Sequence, residues 1–124
     1  MAQIGLAFRL SSGDLGYELY PFHVSTNLGG TKEFRAIGPD GFDTNAHYHL
    51  QVLSNYLSFP GLLVCPGDVQ RAPAADFSAL QSGNVTYQLR TGDPVTENNP
   101  SEILLVCPID GNIVYADGTV PNYP

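Results

Sequence analysis

Residues 102–116 read EILLVCPIDGNIVYA. Two apolar runs, 102–107 and 112–116, flank a turn centred on Asp110-Gly111. Asp and Gly tolerate the backbone of a tight turn that Val and Ile resist, so the segment predicts an antiparallel β-hairpin. Upstream, residues 84–90 (NVTYQLR) alternate Val85, Tyr87 and Leu89 with Thr86, Gln88 and Arg90. That period of two predicts a strand with one buried face. A polar loop, 91–101, joins it to the hairpin. The short apolar run 61–65 (GLLVC), closed by Pro66-Gly67-Asp68, supplies a fourth strand, and 75–82 (ADFSALQS) a short helix ended by Gly83.

The N-terminal half carries the helical signals. Ala46, Leu50, Leu53 and Leu57 follow the N-cap choices Asp43-Thr44-Asn45 at spacings of four, three and four, which predicts a helix over 44–58. Pro60 stops it. Ile4, Leu6, Ala7 and Leu10 give helical spacing over 2–12, and no capping residue precedes them, so this segment reads either as the last turns of a longer helix or as a short N-terminal helix in its own right. Between the two helices, 13–43 is punctuated by Gly and Pro every few residues and forms a long loop. Tyr17, Leu19, Tyr20, Phe22, Val24, Phe34 and Ile37 make it too apolar for a disordered linker, so it is expected to lie against a core. Two helices followed by hairpin-linked strands predict one α+β domain over 1–124, with an antiparallel sheet of about four short strands.

Composition narrows the partners. The 124 residues are 43% hydrophobic and 14% charged, with 13 Gly and 10 Pro, as in a loop-rich globular domain. Five basic against twelve acidic residues leave a formal charge of −7, the wrong sign for a phosphate backbone, so no nucleic-acid partner is expected.

Chemical motifs are sparse. His47 and His49 stand about 200° apart around a helix, so they cannot share a metal as an i, i+4 pair does; they read as surface histidines. His23 has no ligand-spaced neighbour. Gly29-Gly30-Thr31-Lys32 lacks the glycine spacing of a phosphate cradle, and there is no Gly-x-Ser-x-Gly elbow. Asp93, Glu97, Asn98 and Asn99 offer oxygen ligands that would suit calcium, without EF-hand spacing. Asp110 and Asp117 would stand about 20 Å apart on extended chain, too far to share an ion. Cys65 and Cys107 each end an apolar run and precede Pro, too far apart in sequence for a zinc ribbon or a redox C-x-x-C. They read as a disulfide between two strand ends, worth roughly 4 kcal/mol of unfolded-state constraint, or else as two buried thiols. Asn84-Val85-Thr86 fits a glycosylation sequon but opens a predicted strand.

Three segments together resemble the periplasmic part of type IV pilin-like proteins, in particular the pseudopilin-like proteins of type II secretion. QIGLAFRLSSGDLGYELYP at 3–21 is similar to the end of that family's long N-terminal helix. VLSNYLSFPGLLVCPGD at 52–68 and ADFSALQSGNVTYQLR at 75–90 resemble the middle of these domains. LLVCPIDGNIVYADGTV at 104–120 resembles their closing hairpin, in which a Cys-Pro-Ile-His-Gly turn is usual and Asp110 replaces the His. The family's cleavable leader and apolar helix with its early Glu do not occur in the sequence, so the resemblance implies that 2–12 is the remnant of that helix. It further implies a structural, non-enzymatic subunit of a type IV pilus or type II secretion pseudopilus, periplasmic or at the cell surface. Such a subunit is anchored in the inner membrane through the missing helix and partnered by copies of itself and other pilin-like subunits. Calcium near the C-terminal strands is frequent in related pseudopilins; no other cofactor is implied. The isolated domain would be mainly monomeric. The rival expectation is a small secreted binding module or enzyme that recognises a carbohydrate through Tyr17, Tyr20 and Phe22.

Overall fold

The computed structural model describes residues 2–15 and 19–120. Three strands, β1 (Gln88–Leu89), β2 (Ile103–Val106) and β3 (Ile113–Tyr115), form an antiparallel sheet in the order β1-β2-β3. The hairpin forms where the Asp-Gly turn predicts it, with Val106 opposite Ile113 and Leu105 opposite Val114. Gly111 takes φ 76°, backbone that a β-carbon would strain.

Among the described residues the sheet has three strands, and the expected fourth is not among them. GLLVC is instead a 3-10 turn over Pro60–Leu63 and the residues after it: Pro60 presets helical φ at its start, and the amides of Leu62 and Val64 turn back onto the carbonyls of Phe59 and Gly61. A single ladder-like bond, from Thr86 N–H to Leu63 O (2.9 Å), ties this segment to the chain entering β1. Val85, Tyr87 and Leu89 are buried as their alternation requires, yet only Gln88 and Leu89 pair. Thr86, expected on the polar face, is buried as well. Its hydroxyl donates to Asp68 Oδ2 (2.8 Å) and accepts the Cys65 amide (3.0 Å). The helix expected over 75–82 is a 3-10 turn, Phe77–Ala79, capped by Asp76, and a second turn follows at Ser82–Asn84.

The first helix, α1 (Ala2–Leu15), runs longer than 2–12 and lies against β3. Its packed stripe is Ile4, Ala7, Phe8 and Ser11; Leu6 and Leu10, although part of the helical spacing read from the sequence, are 52% and 48% exposed. The i, i+3, i+4, i+7 row starting at Ile4 runs through Phe8, and residues two further on face the opposite side. Gly5 is why the helix can approach so closely: a β-carbon there would stand 2.5 Å from the Gly118 carbonyl oxygen, in the turn after β3. Phe8, Tyr20 and Phe22 form a buried cluster with ring centroids 5.3–5.8 Å apart, each pair contributing about 0.5–1.5 kcal/mol beyond its buried area. Tyr20 also donates to the Ala116 carbonyl (2.5 Å), joining loop and sheet.

The second helix, α2 (Ala46–Gln51), is far shorter than 44–58. Residues 52–56 continue as turns closed by Leu53→Leu50, Ser54→Gln51 and Tyr56→Leu53 backbone bonds. Leu50, Leu53 and Leu57 are nonetheless all buried, since the apolar spacing serves tight turns as well as a helix. The loop between the helices is ordered over 19–43, with 3-10 turns at Pro21–His23, Thr26–Leu28 and Lys32–Phe34 and a bridge between Ile37 and Asp43. Tyr20, Phe22 and Val24 enter the core, whereas Leu19, Phe34 and Ile37 stay exposed; Tyr17 lies outside the described residues.

Candidate functional site

Two clusters of polar side chains stand out, and they differ in how completely their groups are satisfied. The first gathers where the long loop, α2 and the end of β1 meet. The bridge to Ile37 and an amide bond from Asp43 to Leu89 O (2.8 Å) fix Asp43 at the sheet edge. Its Oδ2 accepts from His49 Nε2 (3.0 Å), the Thr91 hydroxyl (2.6 Å) and the Ala36 amide (3.1 Å), and its Oδ1 accepts the Asn45 amide (2.7 Å). Burial by itself would raise the Asp43 pKa; the hydrogen bonds from His49, Thr91 and Asn45 outweigh it and hold the carboxyl down at about 2. On the other side of the ring, His49 Nδ1 lies 2.7 Å from Thr31 Oγ1. The tautomer protonated at Nε2 matches both contacts, with Thr31 donating to Nδ1.

Hydroxyl, imidazole and carboxylate thus stand in the order of a hydrolytic triad. The cluster is closed, however: His49 is fully buried and Thr31 nearly so. What the arrangement does is pin three segments together in the core. The expectation of two surface histidines is therefore corrected for His49, which Asp43 and Thr31 draw inward. His47 is half-buried on a polar cleft of about 220 Å³ lined also by Asp40, Arg71, Ser82 and Gln88. Its Nδ1 is buried without a partner, and burial lowers its pKa. His23 Nε2 meets the Val95 carbonyl at 2.7 Å.

The polar loop's carboxylates are taken by different arginines. Asp93 pairs with Arg35 (2.9 Å), while Glu97 faces Arg9 (3.7 Å) and accepts from Ser12 (3.2 Å). Asn99 is engaged with the Pro94 carbonyl (2.8 Å), and Asn98 beside it is exposed. Each carboxylate's charge thus already has a guanidinium partner. Asp117 closes its own turn through Thr119. Asn84 holds the Ala72 carbonyl (2.9 Å) through its side-chain amide.

The second cluster joins the ends of two segments that the sequence places far apart. Cys65 follows the Pro60–Leu63 turn and Cys107 follows β2; both are buried thiols. Their sulfurs and an Asp110 carboxylate oxygen all lie within 4.8 Å of one another. Cys65 Sγ is 3.6 Å from Asp110 Oδ2, and Asp110 Oδ1 accepts the Asn112 amide (2.9 Å), which fixes the carboxylate's orientation. The backbone amides of Asp110 and Ile109 face the Cys107 sulfur, although burial dominates and pushes that thiol up to about 11. The buried Tyr87 phenol lies beside both thiols; burial and then these neighbours push it up to about 12. Sequence reasoning paired the cysteines but missed Asp110. Its signal was the spacing Cys107-Pro108-Ile109-Asp110, in which a carboxylate stands where a C-x-x-C motif has its second sulfur.

Compared with protein-family models, curated proteins and solved structures, the chain has no significant match.

Proposed function

We propose that this chain is the globular head of a pilin-like or pseudopilin-like subunit, acting by filament assembly and not by turnover. The observation that carries the reading is the division of α1 into two apolar faces. Ile4, Ala7 and Phe8 are buried in the core while Leu6 and Leu10 project outward, half-exposed, along the same helix. A helix that only capped its own domain would gain nothing from the second face, whereas a helix shared between packed subunits uses both. The segment resemblances at 3–21, 52–68 and 104–120 support the same reading. On it, the chain works in the periplasm or at the cell surface, held to the inner membrane by an apolar continuation of α1, with copies of itself or other pilin-like subunits as partners. Tyr20 and Phe22 are buried in the core, so the carbohydrate-binding alternative loses two of its three aromatic residues as a surface.

The test is photocrosslinking from position 6 in cells that produce the protein from its own complete gene. Cross-links to further copies or to other pilin-like subunits in the envelope fraction are expected, weakened by Leu10→Glu. Capture of monomer alone, in a soluble fraction, overturns the proposal.

A further inference from the structure

The Cys65–Cys107–Asp110 cluster has a geometry of its own that filament assembly does not use. We infer that Cys65 Sγ, Cys107 Sγ and the Asp110 carboxylate form a binding site for a thiophilic divalent cation of the zinc class, with water as fourth ligand.

Three observations carry the inference. The first is distance. Tetrahedral zinc, with bonds of about 2.3 Å to sulfur and about 2.0–2.2 Å to oxygen, sets its ligands roughly 3.5 Å apart along a sulfur–oxygen edge and roughly 3.8 Å along a sulfur–sulfur edge. Cys65 Sγ and Asp110 Oδ2 are 3.6 Å apart, and all three ligand atoms fall within 4.8 Å. One sulfur–oxygen pair thus already has the spacing of a tetrahedral edge, with the third ligand atom within 4.8 Å of both, whereas a disulfide requires two sulfurs at about 2.05 Å and has no use for a carboxylate.

The second is the turn. Cys107 and Asp110 are three residues apart on one tight loop closed by a Gly111 N–H to Cys107 O bond (2.9 Å). That spacing lets a single loop offer two ligands to one ion, as in structural zinc sites. The amides of Ile109 and Asp110 face the Cys107 sulfur, where they would stabilise a thiolate, and the Asn112 amide orients the carboxylate. The third is access. Both thiols are buried but Asp110 is exposed, so the ion has an entry path and room for a water ligand on the carboxylate side. Charge balances on binding: the cation displaces one proton from each thiol to solvent, forms two metal–thiolate bonds and one metal–carboxylate bond, and leaves the site with a net charge of about −1.

The experiment is a Co²⁺ titration of the full chain, reduced with a phosphine and kept anaerobic. Expected are thiolate-to-cobalt absorption in the near ultraviolet, the visible bands of tetrahedral cobalt, and loss of both when one equivalent of Zn²⁺ is added. Two protons should be released per ion in weakly buffered solution. Cys107→Ser should abolish the charge-transfer band. Asp110→Asn, at an exposed position where the amide oxygen can still accept from Asn112, should fold as judged by circular dichroism and bind Co²⁺ at least about 10-fold more weakly. Absence of the cobalt bands in the reduced wild type overturns the inference. So does unchanged affinity in Asp110→Asn, and so does loss of two hydrogens from the cysteines in air despite equimolar Zn²⁺, which would make the pair a disulfide. None of these outcomes bears on photocrosslinking at position 6, so the two readings stand or fall separately.

Discussion

Asp43 and Asp110 are both aspartates set beside a titratable partner on a turn, yet the structure treats them oppositely. Asp43 is buried and receives four donors on its two oxygens, from three separate segments. Asp110 is exposed, receives one amide from its own turn, and offers its other oxygen to the sulfur of Cys65. A carboxylate whose lone pairs are all committed inside the core has nothing left for a ligand, whatever triad it imitates. A carboxylate held in place by one bond and still reachable from solvent has. Completeness of hydrogen bonding, more than the identity of the neighbours, separates the structural cluster from the candidate binding site.

This contrast can be broken most directly at Asp43. Asp43→Ala leaves His49, Thr91 and two backbone amides unpartnered in the core, so urea denaturation should show a loss of about 3–5 kcal/mol. A loss no larger than that of a surface substitution would show that the cluster is not the pin between loop, α2 and β1. The next effect is in pH. The Asp43 carboxyl is held at about 2 against an ordinary 3.8, so its ionised form favours the folded state. That stability is fully present above about pH 4 and drains away as pH falls through about 2. The gap between wild type and Asp43→Asn should therefore narrow by about 2 kcal/mol over that window. A gap that holds constant down to pH 2 would contradict the carboxylate's role. The smallest effect is expected at Asp110, where Asp110→Asn should change stability by no more than about 0.5 kcal/mol while altering cobalt affinity. A large loss of stability there would make Asp110 a structural residue like Asp43 and erase the comparison.

How far the sequence could be read depended on whether the deciding forces were local. The hairpin was legible because Asp110-Gly111 and its flanking runs contain everything the turn needs. GLLVC looked like a strand by composition, but Pro60 and the i→i−3 bonding after it make it a turn, and no apolar count registers that. The 44–58 helix had the right buried face and the wrong length, since Leu50, Leu53 and Leu57 can enter the core from a helix or from successive turns. On α1, Ile4 and Ala7 are buried as their spacing suggests, but Phe8 completes the stripe where Leu6 and Leu10 had been read.

Apolar spacing and turn chemistry alone determined the α+β class, the antiparallel hairpin, and the burial of Val85, Tyr87 and Leu89. These follow from residues within a few positions of one another. Only the tertiary structure decided that His49 is buried against Asp43 and Thr31, that the loop's acids face arginines, and that Asp110 stands with Cys65. Each of those is a contact between separate segments, whose energy depends on distance and on exclusion of water, and neither quantity is written in the order of the residues.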